Sequence, residues 1–226
     1  MDDGPLVRAA HLGRTYAIGD QRVEAVRDAT FSIGPLARIA LVGPSGSGKS
    51  TLLHLIAAID LPTTGSIEWP ALGDRASLRP GRIGVAFQGP SLLPPLTVLE
   101  NVALPMILAG RPEREATTSA VDLLDVFDAP TLVDRLPEDL SGGQAQRVAL
   151  ARAFSGAPRL VLADEPTGQQ DRENADRVIE AILTVADLDL AAVVIATHDA
   201  EVASRLQARW QMQDGALRVG AVAWSG

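Results

Sequence analysis

Cysteine is absent from the 226 residues, so no disulfide framework, cysteine-ligated zinc or thiol nucleophile is available. Long apolar runs are missing too. None reaches the roughly eighteen residues that a membrane helix needs. The start, Met1-Asp2-Asp3, has no basic stretch followed by an apolar one and so does not read as a leader. From these absences we expect a cytosolic protein. Net charge is −8, a poor match to a polyanionic duplex, and this argues against nucleic acid as the partner. The apolar fraction of 46% and the few proline-rich runs predict a folded chain rather than a disordered one. Its length suits one domain with a smaller lobe inserted. Lysine is the scarcest charged residue: of twenty basic residues, only Lys49 is not arginine.

Lys49 stands in Gly43-Pro44-Ser45-Gly46-Ser47-Gly48-Lys49-Ser50-Thr51. Where a plain positive charge suffices, this chain uses arginine, a broad planar fork. A lysine ammonium is compact enough to reach among phosphate oxygens as a point charge. Gly43, Gly46 and Gly48 let the backbone curl into a nest of N–H groups that faces an anion, ahead of a helix N-terminus. Ser50 is then placed to bind Mg2+ and Lys49 to reach the β- and γ-phosphates. A glycine-rich turn is the plainer alternative. Apolar Arg38-Ile39-Ala40-Leu41-Val42 before the loop and Leu52-Leu53-His54-Leu55-Ile56 after it read as a buried strand and a buried helix, the context that phosphate binding requires.

Along the chain, residues 6–33 alternate apolar and polar between turn signals and predict an antiparallel strand group. Residues 65–69 and 82–87 read as strands. From Gly89 to Ser155 the character is helical, with a capping box at Thr97-Val98-Leu99-Glu100 and helical spacing from Arg111 to Phe127. We take about 89–155 as a helical lobe inserted between residues 1–88 and 156–226. Strand and helix alternation resumes from Arg159 to Ala196, which implies a parallel sheet covered by helices, and Asp214-Gly215 reads as a hairpin turn.

Three further motifs carry chemistry. Leu160-Val161-Leu162-Ala163-Asp164-Glu165 is an apolar strand ending in two carboxylates. Ligands of open parallel sheets bind beyond such strand ends, so Asp164 suits Mg2+ and Glu165 suits the proton of an attacking water. His198 follows another apolar strand and can hydrogen-bond a γ-phosphate oxygen or that water, although a lone histidine is more often a surface residue. Leu140-Ser141-Gly142-Gly143-Gln144 reads as a helix start with Ser141 as N-cap. It also reads as a second anion site: a hydroxyl, bare glycine N–H groups and a helix dipole. Two phosphate sites in one chain hint at pairing across a dimer.

Gly43 to Thr51, Gln88, Leu140 to Gln144, Leu160 to Glu165, Asp171 and His198 occur in the order seen in ATP-binding-cassette (ABC) transporter ATPases. The sequence resembles that family over nearly its whole length, and Leu-Ser-Gly-Gly-Gln is the specific part. The resemblance implies an α/β fold: a RecA-like P-loop core with an N-terminal antiparallel β lobe and an inserted helical lobe. It implies ATP and Mg2+ as ligands and head-to-tail dimers, with Ser141 and Gly143 of one subunit on the γ-phosphate held by Lys49 of the other. Gln88 would meet Mg2+ and the attacking water, Tyr16 would stack on adenine, and Asp171 would belong to the nucleotide-facing set. Phe87-Gln88-Gly89-Pro90-Ser91-Leu92-Leu93-Pro94, Thr97 to Val102 and Ile59-Asp60-Leu61-Pro62-Thr63-Thr64-Gly65 resemble the lipoprotein-releasing, macrolide-exporting and cell-division branch.

Such a subunit would sit on the cytoplasmic face of the membrane through an integral permease, beside a second ATPase subunit in a homodimer or heterodimer. The competing expectation is a soluble ABC ATPase acting on ribosomes or DNA, which the single cassette and acidic balance disfavour. Two departures stand out. Gln169-Gln170 precede Asp171 where the family usually has an apolar residue before the aspartate. The stretch Pro70 to Arg82 is short and rich in Pro and Gly, so a helix there should be reduced. The lone lysine yields a direct test. Lys49→Arg, which keeps the charge, should lose ATP hydrolysis nearly as fully as Lys49→Ala in a phosphate-release assay; normal turnover in the arginine variant would make the lysine a compositional accident.

Overall fold

The alternation between residues 6 and 33 produces two long strands, β1 (Val7–Ile18) and β2 (Gln21–Ile33), paired antiparallel from Val7↔Ile33 to Ile18↔Gln21. The computed structural model describes residues 4–89, 91–168 and 170–220, with only the backbone of Ile18. Met1, Asp2, Asp3, Pro90 and Gln169, named above, lie outside the described residues. The chain separates into two compact units: one from the N-terminal part to Leu78 together with the part from Ala192, the other from Arg79 to Ala191.

In the first unit, β3 (Arg38–Val42) is buried at every position, as a strand covered on both faces must be. It leads through the glycine loop into α1 (Lys49–Ile56), which buries Leu52, Leu53, Leu55 and Ile56. β4 (Thr64–Glu68), expected as a strand, pairs antiparallel with β1 and extends the antiparallel group read over residues 6–33. Across Pro70–Arg82 the only helical element among the described residues is a 3-10 turn at Arg75–Ser77, the reduction expected there.

The remaining strands of this unit belong to the second half of the chain. They are β7 (Ala192–Thr197), then β8 (Ala208–Gln213) and β9 (Ala216–Val219), joined by the Asp214-Gly215 turn. The strand order within the unit is β4-β1-β2-β9-β8-β3-β7. β3 is parallel to both its neighbours, β7 and β8. Phe31 of β2 and Trp210 of β8 pack with ring centroids 5.1 Å apart in the core between them.

The second unit holds the parallel pair β5 (Ile83–Ala86) and β6 (Leu160–Asp164), the helices α2 (Val98–Leu108), α3 (Glu113–Val126) and α4 (Gly142–Phe154), and α5 (Arg172–Leu188). Gly84 of β5 is required by contact: a Cβ there would lie 1.8 Å from the Ala153 carbonyl oxygen of α4. The capping box at Thr97 is present in full. Thr97 Oγ1 accepts from the Glu100 N–H (3.2 Å), and Glu100 Oε2 accepts from the Thr97 N–H (2.7 Å). The α5 pattern of buried Val178, Ile179, Ile182, Val185 and Ala186 is one helical face.

The loop Leu92-Leu93-Pro94-Pro95-Leu96 is neither wholly buried nor free. Leu93, Pro94 and Pro95 are exposed, while the fully buried Asn101 of α2 ties the backbone beneath them. Asn101 Nδ2 donates to the carbonyls of Leu93 (3.1 Å), Leu96 (3.0 Å) and Thr97 (3.0 Å), and Oδ1 accepts from the Leu93 N–H (2.8 Å). Removing this amide strands several buried backbone groups at once. Asn101→Ala should therefore cost about 2–4 kcal/mol of stability, measured as a lowered urea midpoint.

Candidate functional site

Two strand registers place the phosphate loop and His198 at one edge of the first unit. Val42, the last residue of β3, pairs with Thr197 of β7 on one side and with Gln211 of β8 on the other. Gly43 and His198 therefore leave adjacent parallel strands at the same level, and Met212 of β8 lies beside Gly43. His198 is exposed, and the fully buried Thr197 turns the chain behind it by accepting the Asp199 N–H on Oγ1 at 3.0 Å.

Close approach explains two of the loop glycines. A Cβ on Gly43 would lie 2.2 Å from the Met212 carbonyl oxygen, and one on Gly48 would lie 2.0 Å from that of Ala25. Gly48 also has φ +104°, in the left-handed region, and no side chain caps α1 there. The first N–H groups of α1 are thus not consumed by a capping side chain and can serve an anion. Lys49 is 7% exposed, and its ammonium is folded back on the loop, donating to the carbonyls of Gly43 (2.8 Å) and Pro44 (3.1 Å). Ser47 is buried, with its N–H on the Pro44 carbonyl at 3.2 Å and its own carbonyl accepting from Gly215 at 3.0 Å. Pro44, Ser45 and Gly46 form the exposed crest, while Ser50 and Thr51 are half-buried in the first turn of α1.

Tyr16 lies on β1 in the same unit, half-buried, with the Arg14 guanidinium 4.5 Å from its ring centroid over one face. Its hydroxyl donates to Asp60 Oδ2 at 2.7 Å. Burial pushes the Asp60 carboxyl up, but the Tyr16 hydroxyl, the Leu61 N–H and the Arg14 guanidinium outweigh it and hold the group below the usual carboxylate range.

In the second unit, β6 delivers Asp164 and Glu165 from a fully buried strand, and both carboxylates are at least nine-tenths buried. Glu165 has φ +48°, a left-handed conformation that is strained for a residue with a long side chain. Gln88 is exposed just after β5, beside Gly89. Arg152 of α4 grips the same loop, donating to the Ser91 carbonyl (2.7 Å) and hydroxyl (3.1 Å), and burial pushes its guanidinium below its ordinary value. A cavity of about 460 Å³ next to Gln88 is lined by Gly89, Leu92, Pro94, Pro137 and Leu140, with Glu138 among its polar groups.

Ser141 caps α4 reciprocally. Its Oγ accepts from the Gln144 N–H at 3.3 Å, and Gln144 Oε1 accepts from the Ser141 N–H at 2.9 Å. That cap serves the third N–H of the helix and leaves those of Gly142 and Gly143 to an outside acceptor. They face a cavity of about 450 Å³, also lined by Arg147, Gln170, Asp171 and Asn174. Asp171 is the N-cap of α5, and its carboxylate is turned to Asn174, accepting from N–H (2.9 Å) and Nδ2 (3.0 Å). Both amide atoms of Gln170 are buried without a hydrogen-bond partner among the described residues.

The structure thus brings together Gly43–Thr51 and His198 in one unit, and Ser141–Gln144 with Asp171 in the other. Arg14, Asp60, Asn101 and Arg152 were not singled out by their chemistry in the sequence. A buried amide or guanidinium has no local signature, and only Asp60 and Asn101 fall inside motifs quoted for a resemblance.

Comparison with known proteins gives the family. The family model described as ABC transporter matches residues 26–168. The lipoprotein-releasing system ATP-binding protein LolD of Bordetella pertussis is 39% identical over 224 residues, covering 96% of this chain and 97% of LolD, and its counterpart in Bordetella bronchiseptica matches equally. Among solved structures, the dimeric structure of MJ0796, a bacterial ABC transporter cassette, superposes with a TM-score of 0.88 at 33% identity, covering 94% of this chain and 96% of that one. MJ0796 in a post-hydrolysis state bound to ADP and Pi gives the same TM-score, 0.88, at 32% identity, with 95% and 97% covered. Because Gly48 combines a positive φ with backbone contact, Gly48→Ala should weaken nucleotide binding by about tenfold or more, read by fluorescent-nucleotide titration, with the far-ultraviolet circular dichroism spectrum retained.

Proposed function

This chain belongs to the ABC transporter family, and on that premise we propose how its residues share the reaction. It is an ATP-binding and ATP-hydrolysing subunit of an ABC transporter with the RecA-like P-loop fold of the ABC cassettes. In our reading the N–H groups from Gly43 to Thr51 cradle the phosphates. Lys49 exchanges the Gly43 and Pro44 carbonyls for β- and γ-phosphate oxygens, and Tyr16 meets adenine. Glu165 takes the proton of the attacking water, while Gln88 and His198 orient that water and the γ-phosphate. Hydrolysis of this kind needs positioning and charge stabilisation rather than covalent chemistry.

Magnesium fits the residues at hand. Ser50, Asp164 and Gln88 all offer hard oxygen donors, and no group of three or more His, Cys, Asp or Glu is placed to hold a metal among the described residues. A Mg2+ ion there would be held by these oxygens together with phosphate and water. When bound, it would supply charge neutralisation to the phosphates.

The Ser141–Gln144 helix start acts on a second copy in this reading, with Ser141 and the Gly142 and Gly143 N–H groups clamping the γ-phosphate held by its Lys49, and with Asp171 alongside. A dimeric assembly of the similar MJ0796 cassette supports it. The cavity beside Gln88 suits a cytoplasmic helix of an integral membrane permease: its lining is largely apolar with Glu138 at hand, and Arg152 ties its loop to the helix that Ser141 caps. We take the helical segment 89–155 as the lobe that carries this coupling. No helix among the described residues is long and apolar enough to cross a membrane, so attachment to the cytoplasmic face would come through that permease. Similarity to lipoprotein-releasing ATP-binding proteins favours this reading over action on ribosomes or DNA.

The observation that carries the proposal is the preformed phosphate loop, with Lys49 held 2.8 Å from the Gly43 carbonyl at the edge shared with His198. Glu165→Gln tests it. ATP turnover should fall by about 10²-fold or more, and size-exclusion chromatography with MgATP should show a trapped dimer. Undiminished turnover in this variant removes Glu165 as the general base.

A further inference from the structure

The segment Ile59-Asp60-Leu61-Pro62-Thr63-Thr64-Gly65, prominent in the sequence, has no part in the reaction as described so far. In the structure it clamps the strand that bears Tyr16. Asp60 Oδ2 accepts from the Tyr16 hydroxyl (2.7 Å) and Arg14 Nε (2.9 Å). Asp60 Oδ1 accepts from Arg14 Nη2 (2.8 Å) and the Leu61 N–H (2.7 Å). The Arg14 pair is thus a fork on a carboxylate, and the two side chains are only 23% and 21% exposed. Thr63 adds a second tie: its N–H and Oγ1 donate to the Gly13 carbonyl at 2.8 and 3.1 Å, and Oγ1 accepts from the Thr15 N–H at 3.1 Å. Gly65, at φ +72°, passes so close that a Cβ would lie 2.1 Å from the His11 carbonyl oxygen.

This clamp begins three residues after α1 ends, and α1 begins with Lys49. One short run of chain therefore joins the phosphate loop to the carboxylate that holds the tyrosine. A tyrosine on a strand of this antiparallel lobe is otherwise free to turn about its side-chain bonds. Here the hydroxyl is anchored on a charged acceptor and the Arg14 plane occupies one ring face, so only the opposite face remains for a flat ligand.

We propose that Asp60 is a positioning residue for the nucleobase: with Arg14 it locks the Tyr16 ring as a one-sided stacking platform at a set distance from the phosphate loop. The proposal rests on the reading that Tyr16 meets the base. Stacking uses the face common to all bases, so the platform serves adenine and guanine nucleotides alike and contributes nothing to a ligand made of phosphate alone.

The experiment compares the affinities of the full-length protein for MgATP, MgGTP and inorganic tripolyphosphate by calorimetry, with steady-state kinetics alongside. Asp60→Ala should weaken ATP and GTP by about five- to twentyfold, a hydrogen-bonded charge pair's worth. Tripolyphosphate binding should stay within about twofold, and KM should rise with kcat retained. Tyr16→Phe keeps the ring but frees it and should show a smaller loss of the same pattern; Arg14→Lys keeps the charge without the plane and should fall between. If Asp60→Ala does not fold, Asp60→Asn, of nearly the same shape, gives the same reading. Equal loss of tripolyphosphate and ATP affinity would overturn the proposal by making Asp60 a support of the phosphate loop, and unchanged ATP affinity would overturn it outright. Wild-type protein that binds tripolyphosphate as tightly as ATP would remove the Tyr16–base contact itself, a failure of the underlying reading rather than of Asp60.

Discussion

The glycine loop between β3 and α1 runs too near its neighbours at two points to leave room for side chains. At Gly43 the neighbour is the Met212 carbonyl of β8, and at Gly48 it is the Ala25 carbonyl of β2. The first of these contacts follows from β3 sitting between β7 and β8 in parallel register, ending level with Thr197 and Gln211. From the same register follows the placement of His198 beside the loop, while α1 starts without a side-chain cap because its N-cap is Gly48. The ammonium of Lys49 then sits among carbonyls that a phosphate can replace. In the proposed reading, this glycine loop is the anion site of an ATPase of the ABC transporter family.

The second unit solves a related problem by different means. At the start of α4 a reciprocal cap by Ser141 and Gln144 stabilises the helix yet spends only the third N–H and leaves those of Gly142 and Gly143 uncapped. At the start of α5 the Asp171 carboxylate is committed to Asn174, and the polar Gln170 beside it has no hydrogen-bond partner among the described residues. That is where this chain departs from the apolar residue usual in the family. Gln169, the other half of the departure, lies outside the described residues.

Much of this was legible in the chain itself. The loop from Gly43 to Thr51, the capping box at Thr97, the N-cap at Ser141, the buried strands before Gly43 and through Asp164, the antiparallel strand group and the Asp214-Gly215 turn are local patterns. Their partners lie within a few residues, or their periodicity is that of one element. The motif Ile59 to Gly65 was visible as a likeness, but its work was not. Asp60 meets Tyr16 and Arg14 across separations of 44 and 46 residues, and nothing in the local sequence announces either bond. Asn101 was likewise only a letter after a capping box until burial and four hydrogen bonds gave it a role.

By itself, then, the sequence determined the chemistry on offer: a compact cation in a glycine nest, two carboxylates at a strand end, a histidine after another strand, and an acidic surface without cysteine. It did so because those properties belong to residue types and short spacings. Which groups share an edge was decided by tertiary structure alone. Parallel strands pair only through long crossovers, and their register is set by packing rather than by a turn. So His198 came beside Gly43, Met212 and Ala25 became the walls of the loop, and Arg14 and Asp60 closed on Tyr16 only once the sheet had formed.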